Sequence, residues 1–226
     1  MSMTRTQFEE QLEMLRNMLL EMGSMCDRAV ADAMQALNDR DLPLAERVIE
    51  FDDELDDMDI RIENACLRLL ALQQPIARDL RLIGTCLKVI TDMERIGDHA
   101  VDIAKVARKL SRMPNPGPLA DLPRMGNLVR KMLRTGLDAF IRHDLALVME
   151  AIADDDEVDD LFHVIREDLL LKMQSNPEVV VEASYCLFVA HYLERMADHA
   201  VNIAERVHFV ETGDLAQLAK SHKSAS

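Results

Sequence analysis

Three side chains spaced four residues apart, Glu94, Asp98 and Asp102, are the groups in this chain best placed to do chemistry. On an α-helix that spacing sets them along one side over about 12 Å. The stretch Glu94-Arg95-Ile96-Gly97-Asp98-His99-Ala100-Val101-Asp102-Ile103-Ala104 returns one hundred residues later as Glu194-Arg195-Met196-Ala197-Asp198-His199-Ala200-Val201-Asn202-Ile203-Ala204. A second acidic stretch, Asp52-Asp53-Glu54-Leu55-Asp56-Asp57, returns as Asp155-Asp156-Glu157-Val158-Asp159-Asp160. Counting outward from Pro75, Asp56 lies nineteen residues back and Glu94 nineteen forward, whereas Asp52 and Asp98 are each twenty-three away. A helical hairpin closed at that proline therefore brings Asp52, Asp53 and Asp56 to the level of Glu94, Asp98 and Asp102. In the second copy Asp155, Asp156 and Asp159 face Glu194 and Asp198, and Asn202 stands where the third acid would be.

Carboxylates gathered this closely raise one another's cost of ionisation, so the rows call for a counter-charge. All-oxygen donor sets suit hard or borderline cations such as Mg²⁺, Ca²⁺, Mn²⁺ or iron, and the lack of a paired Cys or His set argues against structural zinc. The alternative is a solvated acidic face, with Arg95 and Arg195 paired to Asp98 and Asp198 three residues on. Three features favour metal: Glu94 and Glu194 interrupt an apolar seam, the opposite helix supplies acids at the same height, and both features occur twice. Buried Glu–Arg pairing stays open. His99 and His199 each follow an aspartate of the row, so they point away from it and fit a structural or interfacial role. Cys86 and Cys186 match across the repeat and fit the core.

The elements that must carry these groups are helices. The composition is 49% apolar, with 7 Gly, 7 Pro and no Trp, and the periodic segments end at prolines. The pattern predicts six helices, over 6–39, 44–73, 77–112, 122–142, 146–174 and 178–210. The second carries one apolar seam, Val48, Phe51, Leu55, Met58, Ile62, Ala65, Leu69 and Leu72. The third carries two: Leu82, Cys86, Val89, Met93, Ile96, Ala100, Ile103 and Ala107, and Leu80, Ile83, Leu87, Ile90, Glu94, Gly97, Val101 and Ala104. The expected fold is all-α, two tandem antiparallel three-helix bundles related by an internal pseudo-twofold. The first spans 1–112, a proline-rich linker 113–121, the second 122–212, and a tail expected to be disordered 213–226.

Twenty-six basic residues against 41 acidic ones give a formal net charge of −15, which disfavours nucleic acid and anionic lipid as partners. Cys26, Cys66, Cys86 and Cys186 show no C-x-x-C spacing and fit reduced, buried thiols. The start of the chain lacks the pattern of an export signal, and no apolar run approaches a membrane span. The expected location is cytoplasmic.

With these motifs the sequence resembles the PhoU family of bacterial phosphate-uptake regulators, over residues 5 to 210. The resemblance implies a peripheral, often dimeric protein that restrains phosphate import and the phosphate regulon. Its implied partners are the phosphate transporter's ATPase subunit and a phosphate-sensing histidine kinase, with membrane association only through them. It also implies multinuclear clusters at Glu94 with Asp98 and Glu194 with Asp198, of an ion left open among Fe, Mn, Mg and Zn. Asn202 departs from the pattern and is expected to weaken or alter the second cluster.

Two other classes compete. A ferritin-like carboxylate oxidase needs Glu-x-x-His on two helices, whereas each row's Glu and His stand five apart; the nearest match, Asp160 with His163, has Asp57 and Ile60 at the equivalent places. A metal-free helical scaffold would leave the rows salt-bridged. No nucleophile–base constellation or Gly-rich phosphate loop is evident, so no enzyme activity is expected. Replacing Glu94 and Asp98 by Ala is expected to abolish metal binding to the first unit and, in excess chelator, to leave the protein at least as stable as the wild type to heat. Strong destabilisation there would make the acids arginine partners instead.

Overall fold

Caps and prolines fix the helix ends. The Asp41 carboxylate accepts the Leu44 N–H at 2.9 Å, with Pro43 in the turn it opens; Asp144 accepts from Ala146 at 2.8 Å and Asn176 from Glu178 at 3.0 Å. The computed structural model describes residues 5–113 and 121–219. Within them α1 spans Arg5–Asp39, α2 Leu42–Glu50, α3 Asp52–Gln73, α4 Ala77–Leu110, α5 Leu122–Arg142, α6 Leu145–Ser175 and α7 Val180–Thr212, the last entered through a 3₁₀ turn at Pro177–Val179. Pro114, Pro116 and Pro118 of the expected linker lie outside the described residues. So does the tail beyond Ala219.

Where six helices were expected, the second is in fact two. The chain bends at Phe51, which keeps helical angles (φ −70°, ψ −15°) while its ring lies 4.5 Å from the Arg28 guanidinium. Asp52, Asp53 and Glu54 then fill the first turn of α3, where unpaired N–H groups and the helix dipole favour negative charge. The acidic stretch thus starts a helix as well as carrying the row.

Helices α1 to α4 form one unit and α5 to α7 the other, and they meet where α4 lies along α7 and α1 along α5. Buried positions repeat in register along the two central helices: Cys86 and Cys186, Val89 and Val189, Met93 and Leu193, Ile96 and Met196. One apolar core runs through both units. Every expected residue of the Leu82-to-Ala107 seam is buried. The other seams need correction at the Pro75 turn, where Leu72 and Leu80 are exposed beside an exposed Ile76, and at Ala65, which is half-buried next to a fully buried Cys66. The end of the hairpin projects beyond the helices that cover its middle.

For residues 213–219 the expectation of a disordered tail is also corrected. Gly213 takes φ +80°, a conformation that strains other residues, and turns the chain back at the end of α7. The Leu218 and Ala219 N–H groups donate to Glu205 Oε1, and both side chains pack against the core. A tail of mixed polarity carries no sign of such an anchor in its own sequence.

The α3–α4 hairpin is tight at the level of the acids. A Cβ on Gly97 would stand 2.5 Å from the Leu55 Cδ2 methyl, itself buried. The second unit has Val158 and Ala197 at the matching places: the shorter side chain goes with the added methyl. Gly97→Ala is expected to cost about 1–3 kcal/mol in overpacking, against about 1 kcal/mol regained in helix propensity. Adding Leu55→Val should relieve the clash, giving a favourable coupling of about 1 kcal/mol or more in a urea-unfolding double-mutant cycle. Strictly additive changes would show that Leu55 yields without cost.

Candidate functional site

In the first unit, α3 carries Asp52, Asp56, Asp59 and Glu63 at steps of 4, 3 and 4 residues, one continuous stripe. The antiparallel α4 sets Glu94 and Asp98 against it. Asp52 is raised above the ordinary carboxylate range by burial, then by Asp56 and Asp98, with Lys105 partly offsetting. Glu94 is raised by burial and then by Asp98, with Asp56 and Asp59 adding and Arg95 opposing. Asp59 is raised by burial, Glu63 and Asp56. Arg95 Nη1 donates to Asp98 Oδ2 at 2.9 Å, so the i, i+3 pairing of the alternative reading is present, on the open side of the row.

The second unit is more strained. Burial, followed by Asp159, Asp198, Asp156 and Glu194, pushes Asp155 up to about 7. Glu194 is raised by burial and by Asp198, with His191 and Arg195 opposing. Its Oε2 is shut off from solvent without a hydrogen bond, and the His191 Nδ1 lies 3.4 Å away. A cleft of about 480 Å³ opens over Asp155, Asp159, Glu194 and Asp198, with Phe162 and His163 on its wall. Arg195 pairs with Asp198 at 2.8 Å, as Arg95 does with Asp98.

Four sequence-predicted residues sit apart from the rows. Asp102 pairs with Lys105 at 3.2 Å and acts on His99 and Tyr192, facing the α4–α7 seam. Asn202 donates to Asp92 Oδ1 of α4 at 3.1 Å. Each four-residue step advances about 40° around a helix, so a position eight residues on has turned about 80° from the row. Asp53 and Asp156 are exposed; each is the immediate neighbour of a row member and stands about 100° around from it. Sequence reasoning missed Asp59 and Glu63, which the continuing 4-3-4 spacing signals, and also His191, whose counterpart Thr91 gives the repeat no signal; His163 it met only as the nearest oxidase match, with Ile60 at the equivalent place.

The histidines occupy the interface, as their positions implied. His99 stacks on Tyr192 with centroids 5.6 Å apart, and burial, then the nearby His199, lowers its pKa. His199 Nδ1 lies 2.9 Å from Asp92 Oδ1. Cys86 and Cys186 are buried free thiols.

Among the described residues, no three His, Cys, Asp or Glu side chains converge as a bound ion requires. The donor set nonetheless fits a hard cation in chemistry and charge: carboxylates lead both rows, and ionisation is disfavoured at Asp52, Glu94, Asp155 and Glu194.

A duplicated three-helix scaffold with facing acid rows in both halves defines the class: a tandem carboxylate bundle. A model of the PhoU domain matches it twice, over residues 19–107 and 122–207. A phosphate-specific transport system accessory protein PhoU homolog from Clostridium acetobutylicum is 42% identical, covering 96% of this chain and 99% of that one. The homolog from Pseudomonas aeruginosa is 37% identical over 92% and 86%. The crystal structure of PhoU from Pseudomonas aeruginosa superposes with TM-score 0.88 at 36% identity, covering 92% of this chain and all of that one. The phosphate transport system regulatory protein PhoU from Streptococcus pneumoniae gives 0.86 at 30%, covering 93% and 100%. This chain belongs to the PhoU family.

The raised carboxylates give a pH dependence of defined sign. Asp155 has an ordinary value of 3.8 and a folded value of about 7, so between these the folded state holds more protons than the unfolded one. Stability then falls as pH rises through that window and levels off above it. At Asp27 and Glu211 burial opposes ionisation, yet Arg130 and Arg134, and Arg78 and His143, hold the two below their ordinary values, so they act below pH 5; His99, lowered from 6.5 by burial and His199, acts within the window in the opposite sense and offsets part of the effect. In excess chelator the melting temperature is expected to be higher at pH 5 than at pH 8, and Asp155→Asn to flatten the difference. A wild type that gains stability from pH 5 to pH 8 would contradict this.

Proposed function

We propose that this protein is a phosphate-transport accessory regulator. It restrains phosphate import and the phosphate regulon by binding the transporter's ATPase subunit and a phosphate-sensing histidine kinase, with metal ions on its acid rows. The observation that carries the reading is the near full-length similarity to accessory proteins of that name, combined with facing acid rows in both units. It acts in the cytoplasm, as a homodimer and without catalysis. Among the described residues no helix is long and apolar enough to cross a membrane, so contact with the membrane runs through the partners.

Asp52, Asp56, Glu94 and Asp98 would hold ions in the first unit, and Asp155, Asp159, Glu194 and Asp198 in the second. Bound cations would reverse the local potential of a chain of charge −15 and offer positions to a phosphate or a partner's carboxylate. The protein's own part is to hold the rows level with each other: apolar core on one side of each hairpin, water on the other.

The ferritin-like alternative draws on one observation, the imidazoles of His163 and His191 near the second row. The first unit has none in the matching places. Oxygen consumption on adding ferrous iron would favour the oxidase. The regulator reading is tested by affinity for the transporter ATPase or the sensor kinase, with and without chelator, and in the variant Glu94→Ala, Asp98→Ala, Glu194→Ala, Asp198→Ala. Binding is expected to weaken at least tenfold without metal and in the variant, about 1.4 kcal/mol. Equal affinity in all cases would confine metal to a structural part, and no binding at all would remove the regulator reading.

A further inference from the structure

No paired histidine set is visible along the sequence, yet the fold makes one. Counting outward from Pro177, Asp155 lies twenty-two residues back and Asp198 twenty-one forward, Asp159 eighteen back and Glu194 seventeen forward. The next level is His163, fourteen back, and His191, fourteen forward. The antiparallel α6 and α7 therefore present acids at two heights and imidazoles at a third. Both imidazoles lie against the Phe162 ring, with centroids 5.9 Å away for His163 and 6.4 Å for His191. The first unit has Ile60 and Thr91 at these two places and Asp59 where Phe162 stands, so there the stripe continues in oxygen.

Each imidazole stands beside a member of the row. His191 Nδ1 lies 3.4 Å from Glu194 Oε2, an oxygen shut off from solvent and without a hydrogen bond. His163 follows Asp159 by four residues on α6 and lines the cleft of about 480 Å³ together with Asp159, Glu194 and Asp198. Both histidines are exposed, so an ion from solution reaches them without any opening of the core. Arginine does not distinguish the rows, because Arg195 engages Asp198 at 2.8 Å as Arg95 engages Asp98 at 2.9 Å. What distinguishes them is the donor atom. Imidazole nitrogen suits zinc, copper, nickel and iron, whereas carboxylate oxygen alone suits magnesium, calcium and manganese.

We infer that the two rows select different cations: the second is a mixed imidazole–carboxylate site for a borderline cation of the zinc class, its preference set by His191 and His163, and the first is an all-oxygen site for a hard cation of the manganese class. The inference rests on the reading of the rows as metal sites and adds which ion each one takes. The orphaned Glu194 oxygen is the group that a bound ion would complete, and His191 already stands beside it. Duplication has thus given one chain two sites of unlike donor sets.

Two backgrounds isolate the rows: Glu94→Gln with Asp98→Asn leaves the second, and Glu194→Gln with Asp198→Asn leaves the first. Zn²⁺ and Mn²⁺ affinities are measured for each by titration calorimetry, starting from metal-free protein. The ratio of Zn²⁺ to Mn²⁺ affinity is expected to be about tenfold or more higher at the second row. Adding His163→Ala and His191→Ala to that background is expected to remove the excess, weakening Zn²⁺ while leaving Mn²⁺ within about threefold. X-ray absorption at the zinc edge, with one equivalent bound, is expected to show imidazole scattering that the histidine variant loses. An equal ratio at the two rows, a ratio that the histidine variant leaves unchanged, or a zinc shell of oxygen alone would overturn the inference while leaving the rows as metal sites. Binding of neither ion at the second row would remove the metal reading there, and this inference with it.

Discussion

Like charges set face to face across the α3–α4 and α6–α7 hairpins are the constraint to which the rest of this structure answers. Asp52, Glu94, Asp155 and Glu194 are partly stripped of water by the apolar wall behind them and meet their neighbours at the same height, which is why Asp155 rises to about 7 and Asp52, Glu94 and Glu194 rise with it. The helices stay together because their opposite faces are buried in a core common to both units. That core supplies the stability, and the rows subtract from it. The acids also shape the backbone, since Asp52, Asp53 and Glu54 begin a new helix at the Phe51 bend.

Duplication kept the scaffold and let the charges diverge. Buried registers along α4 and α7 match almost residue for residue, whereas the differences gather at the rows and along the seam between units: Asp59 against Phe162, Thr91 against His191, Asp92 against Tyr192, Asp102 against Asn202, Lys105 against Glu205. The two interfacial histidines show the effect directly. His99 stacks on the Tyr192 ring, while His199 lies 2.9 Å from Asp92, the residue that Tyr192 replaces in the second unit. Equal backbones thus present unequal surroundings, one row led by carboxylates with a lysine beside it, the other bordered by imidazoles and by the returning chain.

Close approach is what makes the rows face each other. Gly97 against Leu55 and Ala197 against Val158 are two solutions to one spacing between antiparallel helices. Across the unit boundary the contacts are polar as well as apolar. Arg130 and Arg134 hold Asp27 at 2.9 and 2.8 Å, and Arg40 reaches Glu182 of α7 at 3.6 Å. Such links fix how the units sit against one another and so where the α4–α7 seam places Asp102 and Asn202.

The sequence by itself determined the helices, the duplication and the level at which Asp52, Asp56, Glu94 and Asp98 meet, because periodicity, prolines and residue counts are local and hairpin geometry converts them directly into height. It also placed the histidines off the row, since adjacent residues diverge by about 100° on a helix. What only the tertiary structure decided was direction around each helix and contact between distant segments. Asp102 and Asn202 turn to the seam through a drift of about 80°, Phe51 bends a helix that the seam pattern runs straight through, and Glu205 captures the Leu218 and Ala219 amides. Each depends on which surface a neighbouring element offers, a property of the packed chain that no spacing within one segment contains.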